Sequence, residues 1–323
     1  DYWMHSDDPS FVQSFEIGIR SVLDWYKRRI DANGMLGPME WWNFVDWPDK
    51  WPWTTQARIG GVPDGAENGN SSIITLQLAY TLLQAADLMD SFQEHQSAQK
   101  YRAMAEGLKR AALEWCWDEQ RNLLADTPEK KAFSQHANIM AVLTDTIPAQ
   151  QQAAFIQRVA DDKSLTQCTF YFRYYLIRAM KKAGLADQYV ARLQPWRDML
   201  AMGLTTFAER PEPTRSDCHA WSASPNYDFL ATICGIEPAK SGFQSVRIAP
   251  ALGPLTWAKG TMPHPQGQIQ VSFRRKDTSG IEAEITLPGN LTGTFFWNKQ
   301  SVALHSGSQK IQFPPDVANS TKD

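Results

Sequence analysis

The apolar residues in the first two thirds of the chain recur at the spacing of amphipathic helices. A first helix is predicted over 8–31, capped by Asp8, begun by Pro9 and stopped by Asn33-Gly34. Further helices are predicted over 71–90, 98–115, 134–143, 149–159, 169–183, 187–202 and 225–234. Pro195 is expected to kink or split its helix because it has no backbone N–H. Helices in sequential antiparallel pairs predict a toroid of helical hairpins or a helical bundle.

The pattern changes near residue 240, where polar and apolar positions begin to alternate. The alternation predicts strands near 246–248, 268–273, 281–285 and 294–297, separated by Pro and Gly. We therefore expect a helical domain over 1–239, a small antiparallel β-sandwich over 240–315 and a disordered tail over 316–323.

Composition and charge narrow the range of functions. The formal net charge is −3, whereas a nucleic-acid partner would require a basic surface. No apolar run is long enough to span a bilayer, so no membrane partner is predicted. The four cysteines form neither a CxxC pair nor a metal-ligand spacing, and no dinucleotide fingerprint is present. The sequence therefore predicts no cofactor and no metal.

Tryptophan is the unusual feature of the composition. Five of the 13 tryptophans lie within 41–53, inside a loop over 34–70 that is long for a compact domain and is therefore expected to be functional. Flat aromatic rings stack on the C–H faces of sugars, and carboxylates accept hydrogen bonds from sugar hydroxyl groups. Asp46, Trp47 and Trp53 are candidate sugar contacts for this reason. The alternative is that these rings pack the core and hold the loop down.

A second cluster of polar and aromatic side chains lies near the end of the helical region. It combines Glu209 with Arg215, His219 and Trp221, of which His219 and Trp221 are candidate sugar contacts. Glu209 comes shortly before Pro211, so it is expected at a helix end or on a short strand, which is a suitable platform for a catalytic group. A capping or salt-bridging Glu209 is the alternative.

Two further polar positions leave alternatives open. Glu67 lies in a glycine-rich turn before the helix over 71–90, where it either faces a cleft or only belongs to the turn and cap. His136 opens the helix over 134–143, where it either lines the cleft or makes a structural hydrogen bond.

Taken together, these segments resemble the catalytic domain of the bacterial α-L-rhamnosidases, the family 78 glycoside hydrolases, over nearly the whole chain. The resemblance is carried by Asp1-Tyr2-Trp3-Met4-His5, Phe44-Val45-Asp46-Trp47, Phe133-Ser134-Gln135-His136, Thr205-Thr206-Phe207-Ala208-Glu209, Ser216-Asp217-Cys218-His219-Ala220-Trp221-Ser222, Ile248-Ala249-Pro250 and Leu255-Thr256-Trp257-Ala258-Lys259-Gly260. It implies a mainly α fold, an (α/α)6 toroid of six hairpins, followed by a small C-terminal β domain.

The resemblance also implies an inverting mechanism, in which a carboxylic acid protonates the leaving oxygen and a carboxylate activates water on the opposite face of the sugar. The family's general base maps to Glu209, its sugar-contacting histidine to His219 and its aspartate–tryptophan loop to Asp46-Trp47. The residue before the base is usually Trp, whereas here it is Ala208.

The family's general acid lies in an acidic segment near the start of the toroid, and no equivalent of that segment is found in this sequence. The sequence predicts about eight helices, whereas six hairpins contain twelve. We therefore expect the chain to be the C-terminal part of a longer enzyme, with the acid upstream and with little activity of its own.

The expected partner is a carbohydrate, namely a glycan or glycoside with terminal α-L-rhamnosyl residues. Two alternatives stay open. One is a six-hairpin hydrolase that acts on a different sugar. The other is a carbohydrate-binding relative that kept the cleft and lost catalysis, which the missing acid and Ala208 would favour.

Overall fold

The computed structural model describes residues 1–55, 58–276 and 280–314. The chain forms two compact units, each built from stretches that are separate in sequence. The helical unit contains Gln13–Leu185 and Met199–Ser222, and the β unit contains Asp1–Val12, Ala186–Asp198 and Ala223–Asp323. The tail expected over 316–323 lies outside the described residues.

The helices follow the predicted periodicity closely after residue 70. The α-helices are α1 (Tyr2–His5), α2 (Pro9–Gln13), α3 (Glu16–Lys27), α4 (Ser72–Ser91), α5 (His95–Cys116), α6 (Gln135–Leu143), α7 (Ala149–Asp161), α8 (Phe170–Lys182), α9 (Gln194–Ala201) and α10 (Ser224–Asp228). A 3₁₀ helix at Ala186–Leu193 precedes α9, and a π-helical turn at Phe229–Ile233 follows α10. Because Pro195 is the second residue of α9, the predicted split is confirmed.

The first predicted helix is wrong in one respect, because the continuous helix expected over 8–31 is broken into α2 and α3. Asp8 does cap its start, since its Oδ1 accepts a hydrogen bond from the Phe11 amide at 3.0 Å. Phe11 and Phe15, two of the periodic apolar positions, are exposed. No glycine or proline marks the break, so apolar spacing alone extended the helix through it.

The core of the helical unit lies mainly between α4 and α5, which a short turn joins. Its buried side chains are Leu78, Leu82, Ala86, Met89, Ala98, Tyr101, Ala105 and Leu108, among others. The alanines leave room for the two helices to approach each other closely. The helix α6 is buried along its whole length and packs against α4, α7 and α8, which places its polar first turn inside the protein.

The β unit contains two four-stranded sheets, with orders β10–β7–β6–β5 and β3–β4–β8–β9. The strands are β1 (Trp117–Asp118) and β2 (Leu123–Leu124), which pair in the helical unit, and β3 (Ile236–Pro238), β4 (Ser245–Ile248), β5 (Trp257–His264), β6 (Gly267–Lys276), β7 (Gly280–Leu287), β8 (Thr292–Trp297), β9 (Gln300–Leu304) and β10 (Gly307–Phe313).

Every strand pair is antiparallel except β4 with β8, which is parallel. The expected small antiparallel β-sandwich is confirmed, and among the described strands β4 and β8 form its one parallel pair. The physical reason is connectivity: β5, β6 and β7 of the other sheet lie between β4 and β8 in sequence, so no tight hairpin has to join the pair.

The two sheets of the β unit are held face to face by a stack of phenylalanines. Phe295 on β8 lies nearly parallel to Phe273 on β6 and to Phe313 on β10, with ring centroids 5.8 and 5.7 Å away. Because β6 and β10 belong to one sheet and β8 to the other, this stack forms the centre of the sandwich core.

We expect Phe295→Ala to lower the free energy of unfolding of the β unit by about 3–5 kcal/mol, because it leaves a cavity in a buried aromatic stack. The control is Phe296→Ala, at the next residue on the opposite face of β8, where the ring is partly exposed beneath Arg247. Chemical denaturation of both variants measures the difference. Equal losses would contradict the placement of Phe295 at the centre of the core.

Candidate active site

Two of the predicted tryptophans and the predicted catalytic glutamate line one cavity of the helical unit. The cavity has a volume of about 320 Å³ and is lined by Trp47, Trp53, Glu209, Arg210 and Arg215. This volume is at the lower end of the range for small-molecule sites. The lining combines flat aromatic rings, one carboxylate and two guanidinium groups, which suits a single ring that carries hydroxyl groups.

The predicted loop over 34–70, which we call the tryptophan loop, reaches this cavity by folding back on itself at Gly60-Gly61. The Gly61 amide donates to the Trp51 carbonyl at 2.9 Å, which ties the two arms of the loop together. Gly61 has a φ of +66°, and a Cβ there would lie 2.5 Å from a backbone oxygen of the opposite arm. A Cβ on Gly60 would lie 2.9 Å from the Trp47 ring. Glycine at both positions is therefore what lets the arms close and position Trp47.

Glu209 is held by hydrogen bonds to its backbone on both sides. Its amide donates to the Ser216 carbonyl at 2.8 Å, and the His219 amide donates to the Phe207 carbonyl at 2.7 Å, as in a short antiparallel ladder. The Trp221 indole Nε1 donates to the Glu209 carbonyl at 2.7 Å. Glu209 thus lies in an irregular, hydrogen-bonded segment and not at the helix end or on the short strand expected, and these bonds fix its position in the cavity wall.

The Glu209 carboxylate forms a bidentate ion pair with Arg215. Arg215 Nη2 lies 2.6 Å from Oε1 and Nε lies 3.1 Å from Oε2, the fork geometry in which guanidinium groups bind carboxylates most strongly. The two partners differ in environment: the Glu209 side chain is 1% exposed, whereas that of Arg215 is 66% exposed. Arg215 therefore covers the carboxylate from the solvent side.

Trp221 supports Glu209 from within a stack of aromatic rings. Its ring lies parallel to Phe44, with centroids 5.5 Å apart and planes 2° apart. Tyr171 and His219 pack against it at 5.2 and 4.1 Å. These contacts bring the predicted residues His219 and Trp221 next to Glu209, although neither belongs to the cavity lining.

Two buried ring nitrogens near the cavity have no hydrogen-bond partner among the described residues. They are Nε1 of Trp47 and Nδ1 of His219. Buried polar atoms in folded proteins are nearly always paired, so each of these atoms requires an explanation, and a bound molecule is one.

Asp46 is buried and does not line the cavity. Its Oδ1 accepts from the Trp47 amide at 2.9 Å and from the Thr169 hydroxyl, and its Oδ2 accepts from the Thr169 amide at 2.7 Å. His136 Nε2 lies 2.8 Å from the same Oδ2. A carboxylate with four internal partners has no free oxygen for a sugar hydroxyl. In the structure Asp46 and His136 position the loop.

Glu67 is exposed and lies apart from the Glu209 cavity. It lines a different cavity of about 270 Å³, together with Lys50, Trp51 and Asp64. Glu67 thus faces a cavity, as one alternative expected, but this cavity is more polar than the Glu209 cavity and separate from it.

The described residues contain no group of three or more His, Cys, Asp or Glu side chains arranged to hold a metal ion. No helix in that part of the chain is both long and apolar enough to cross a membrane. Stacking, hydrogen bonding and acid–base chemistry are what the cavity side chains themselves offer.

Comparison with known families accounts for both parts of the chain. Residues 1–233 match the family model of the bacterial α-L-rhamnosidase six-hairpin glycosidase domain, and residues 235–312 match that of the bacterial α-L-rhamnosidase C-terminal domain. The chain belongs to the bacterial α-L-rhamnosidase family. The expected six-hairpin fold class followed by a β domain is confirmed for this rhamnosidase chain.

Solved structures share the fold of the rhamnosidase chain. The GH78-family rhamnosidase of Bacillus sp. GL1 is 24% identical, with a TM-score of 0.81 over 92% of this chain and 32% of that one. The α-L-rhamnosidase of Streptomyces avermitilis, complexed with L-rhamnose, is 15% identical, with a TM-score of 0.73 over 97% and 32%. A Klebsiella oxytoca rhamnosidase with rhamnose bound is 24% identical, with a TM-score of 0.58 over 71% and 44%. The chain thus spans less than half the length of each. No curated protein matches it.

Four side chains of this site were not assigned a function of their own from the sequence. Arg210 and Arg215 line the cavity, and Phe44 and Tyr171 support Trp221. Two arginines within six residues of Glu209 were a visible signal for an ion pair. Tyr171 carried none, because its helical spacing in α8 is equally consistent with the core.

Asp126 is a further buried carboxylate of the helical unit. Asp126 is fully buried, and its Oδ1 accepts from Ser134, the N-cap of α6, at 2.6 Å. Burial raises the pKa of Asp126 to about 6, an effect that the Ser134 hydrogen bond and nearby His136 oppose and that the charge of Asp64 adds to. Its Oδ2 has no partner among the described residues.

This raised pKa predicts how the stability of the rhamnosidase chain depends on pH. Because the pKa of Asp126 is higher in the fold than in the unfolded chain, its stabilising contribution is complete at low pH and is lost as the pH rises through about 6. Asp126→Asn stays neutral throughout. Its free energy of unfolding relative to wild type should therefore rise by about 3 kcal/mol between pH 3 and pH 7, at about 1.4 kcal/mol per pKa unit. Urea denaturation at several pH values measures this, and a flat difference would contradict a raised pKa.

Proposed function

We propose that this chain forms the part of an inverting α-L-rhamnosidase that holds the terminal sugar and supplies the general base, Glu209. The observation that carries the proposal is the cavity itself, in which Glu209 is the one carboxylate among the lining residues described and shares the lining with Trp47 and Trp53. The family assignment supports the sugar, since related structures are complexed with L-rhamnose or have rhamnose bound.

In this proposal Glu209 removes a proton from the water that attacks the anomeric carbon. Inverting enzymes place the two carboxyl groups roughly 6.5–9.5 Å apart to leave room for that water. The general acid is then a carboxyl group that lies outside this chain. Arg215 has to release at least one oxygen of Glu209 before that oxygen can accept a proton, which its exposed side chain is free to do.

The other predicted residues take different roles in the proposal. Trp47 and Trp53 stack against the sugar. His219 packs against Trp221 outside the cavity lining and supports that ring. Trp221 positions Glu209 by donating a hydrogen bond from its indole to the Glu209 backbone carbonyl. Asp46 acts indirectly by holding the loop that carries Trp47, and Glu67 takes no part.

A carbohydrate-binding relative without catalysis is the second candidate. The specific observation in its favour is the ion pair, because Arg215 occupies both oxygens of Glu209. Under this alternative the arginine never leaves and Glu209 has no base function, so the two candidates differ in what removal of the Glu209 charge does to turnover.

We expect Glu209→Gln to lower turnover of an aryl α-L-rhamnoside by roughly 10²–10⁴-fold, because the amide keeps the shape of the side chain but cannot accept a proton. Substrate affinity should change much less, since the amide still forms hydrogen bonds. The assay uses protein expressed from the complete coding sequence, so that any residues preceding residue 1 are included, and compares kcat with KM.

The matched control is Glu212→Gln, three residues away. Glu212 is exposed, and its carboxylate only accepts a hydrogen bond from the Thr214 amide. Turnover of this variant should stay within a few-fold of wild type. An exchange of the two phenotypes would move the base to Glu212, and full activity in both variants would exclude this mechanism.

Trp53 provides a test of sugar binding at this cavity. Trp53→Ala should weaken rhamnose binding about tenfold, which corresponds to about 1.4 kcal/mol, because half of its ring is exposed at the cavity and is available to stack. Trp115→Ala is the control, since Trp115 is a partly exposed tryptophan on α5 whose Nε1 donates to the Asn33 carbonyl. Calorimetric titration measures both. Equal effects would show that the loop tryptophans serve only folding.

A further inference from the structure

A second groove of the helical unit, between α3 and the start of the tryptophan loop, is not used by the proposed mechanism. It has a volume of about 500 Å³, larger than the Glu209 cavity, and its lining includes Ser21, Trp25, Glu40, Trp41, Trp42 and Asn43. We call Trp25, Trp41 and Trp42 the outer tryptophans.

Two of the outer tryptophans, Trp25 and Trp41, are held in place by contacts with neighbouring side chains. Trp41 stacks on Trp25 with centroids 5.8 Å apart and planes 13° apart, and the guanidinium of Arg29 lies 3.4 Å from the centroid of the Trp25 ring. Arg29 also donates to the Trp25 carbonyl at 3.1 Å and pairs with Glu40 at 3.4 Å. Trp25 is therefore held by both Trp41 and Arg29.

Core packing among the described residues does not explain the position of Trp41. Its side chain is 77% exposed, and its backbone φ is 67°, a conformation that bulky residues rarely adopt. Asn43 holds this turn by donating its side-chain amide to the carbonyls of Met39 and Trp41, both at 3.2 Å. An indole that is fixed in solvent by its neighbours is typical of a binding surface.

Trp42 connects this groove to the Glu209 cavity. Its Nε1 donates to the Gly60 carbonyl at 2.8 Å, and its ring lies 6.2 Å from Trp47 and 6.1 Å from Trp53, both of which line that cavity. Trp42, Trp53 and Trp41 all leave large parts of their rings in solvent. Trp42 thus contacts two tryptophans that line the cavity and itself lines the groove next to Trp41.

We propose that the outer tryptophans form a second carbohydrate-binding surface, which holds the sugar units that follow the terminal sugar, so that the substrate is an oligosaccharide or polysaccharide. The proposal rests on the proposed function, because it places the terminal sugar at Glu209. The inner cavity, of about 320 Å³, is small and has room for little beyond one sugar ring, so the rest of a longer substrate has to lie outside it. Flat indoles bordered by the side chains of Ser21, Glu40 and Asn43 offer the stacking faces and hydroxyl partners that a neutral sugar chain requires.

The test is calorimetric titration of the chain carrying Glu209→Gln, which prevents hydrolysis, with three ligands: rhamnose, a rhamnose-terminated tetrasaccharide and an aryl rhamnoside. We expect the tetrasaccharide to bind at least tenfold more tightly than rhamnose. Trp41→Asn removes the ring at a position where Asn tolerates the positive φ, and it should abolish most of this ratio. Trp257→Ala, at a well-exposed tryptophan of the β unit, should preserve the ratio.

Equal affinity for rhamnose and the tetrasaccharide, or a ratio that Trp41→Asn leaves intact, would overturn the proposal while the proposed function stands. A dependence on Trp41 seen only with the aryl rhamnoside would overturn it in favour of an aromatic leaving group. Binding of the tetrasaccharide through Trp41 without any binding of rhamnose would instead contradict the placement of the terminal sugar at Glu209. If Trp41→Asn fails to fold, the indole N–H resonances of Trp41 and Trp42 should shift with the tetrasaccharide and not with rhamnose, and unshifted resonances would overturn the proposal.

Discussion

The candidate site depends on the burial of one carboxylate. Asp46 has no exposed surface and bonds to Trp47, His136 and Thr169. Removing an unpaired charge from water costs several kcal/mol, so Asp46 can be buried only where all of these partners meet. Because His136 and Thr169 lie 90 and 123 residues further along the chain, this interaction fixes the tryptophan loop against the starts of α6 and α8.

The same interaction also influences the position of Glu209, because a helix cap and several packed aromatic rings connect Asp46 to Glu209. Thr169 is the N-cap of α8, and its hydroxyl bonds to Asp46 rather than to the helix. Tyr171, two residues later, packs against Trp221, which in turn donates to the Glu209 carbonyl. Phe44, two residues before Asp46, also stacks on Trp221. A change in the buried carboxylate would therefore reach Glu209 by two routes, although the two residues are not in contact.

Much of the fold could be predicted from the sequence, because apolar spacing reports which face of a helix or strand is buried. The helices α4 to α8 and the strands β6, β7 and β8 follow this pattern. The break between α2 and α3 and the parallel pair β4–β8 could not be predicted in this way, since no breaker residue marks the first and the second depends on which sheet each strand joins.

The sequence predicted which residues belong to the site better than it predicted how they are arranged. The density of tryptophan identified Trp47 and Trp53, and the resemblance to the rhamnosidase family identified Glu209; these three residues do share a cavity. Sequence could not show that Asp46, next to Trp47, points into the protein, because adjacent residues of a loop have no fixed period. Nor could it show that the Trp41 and Trp42 rings lead away from the cavity and not into the core, since both arrangements use the same residue type.

The two partners of the ion pair at Glu209 differ in exposure, and this difference links ligand binding to whether the carboxylate is paired with Arg215. Arg215 is largely in solvent, where it loses little when the pair separates, because water replaces its partner. Glu209 is buried and cannot be left without a partner at similar cost. The pair therefore opens only when other donors, such as a water molecule and the hydroxyl groups of a bound sugar, take the place of the guanidinium. In the proposed function, the empty cavity keeps the carboxylate covered, and a sugar that reaches the Trp47 and Trp53 rings brings the donors that uncover it.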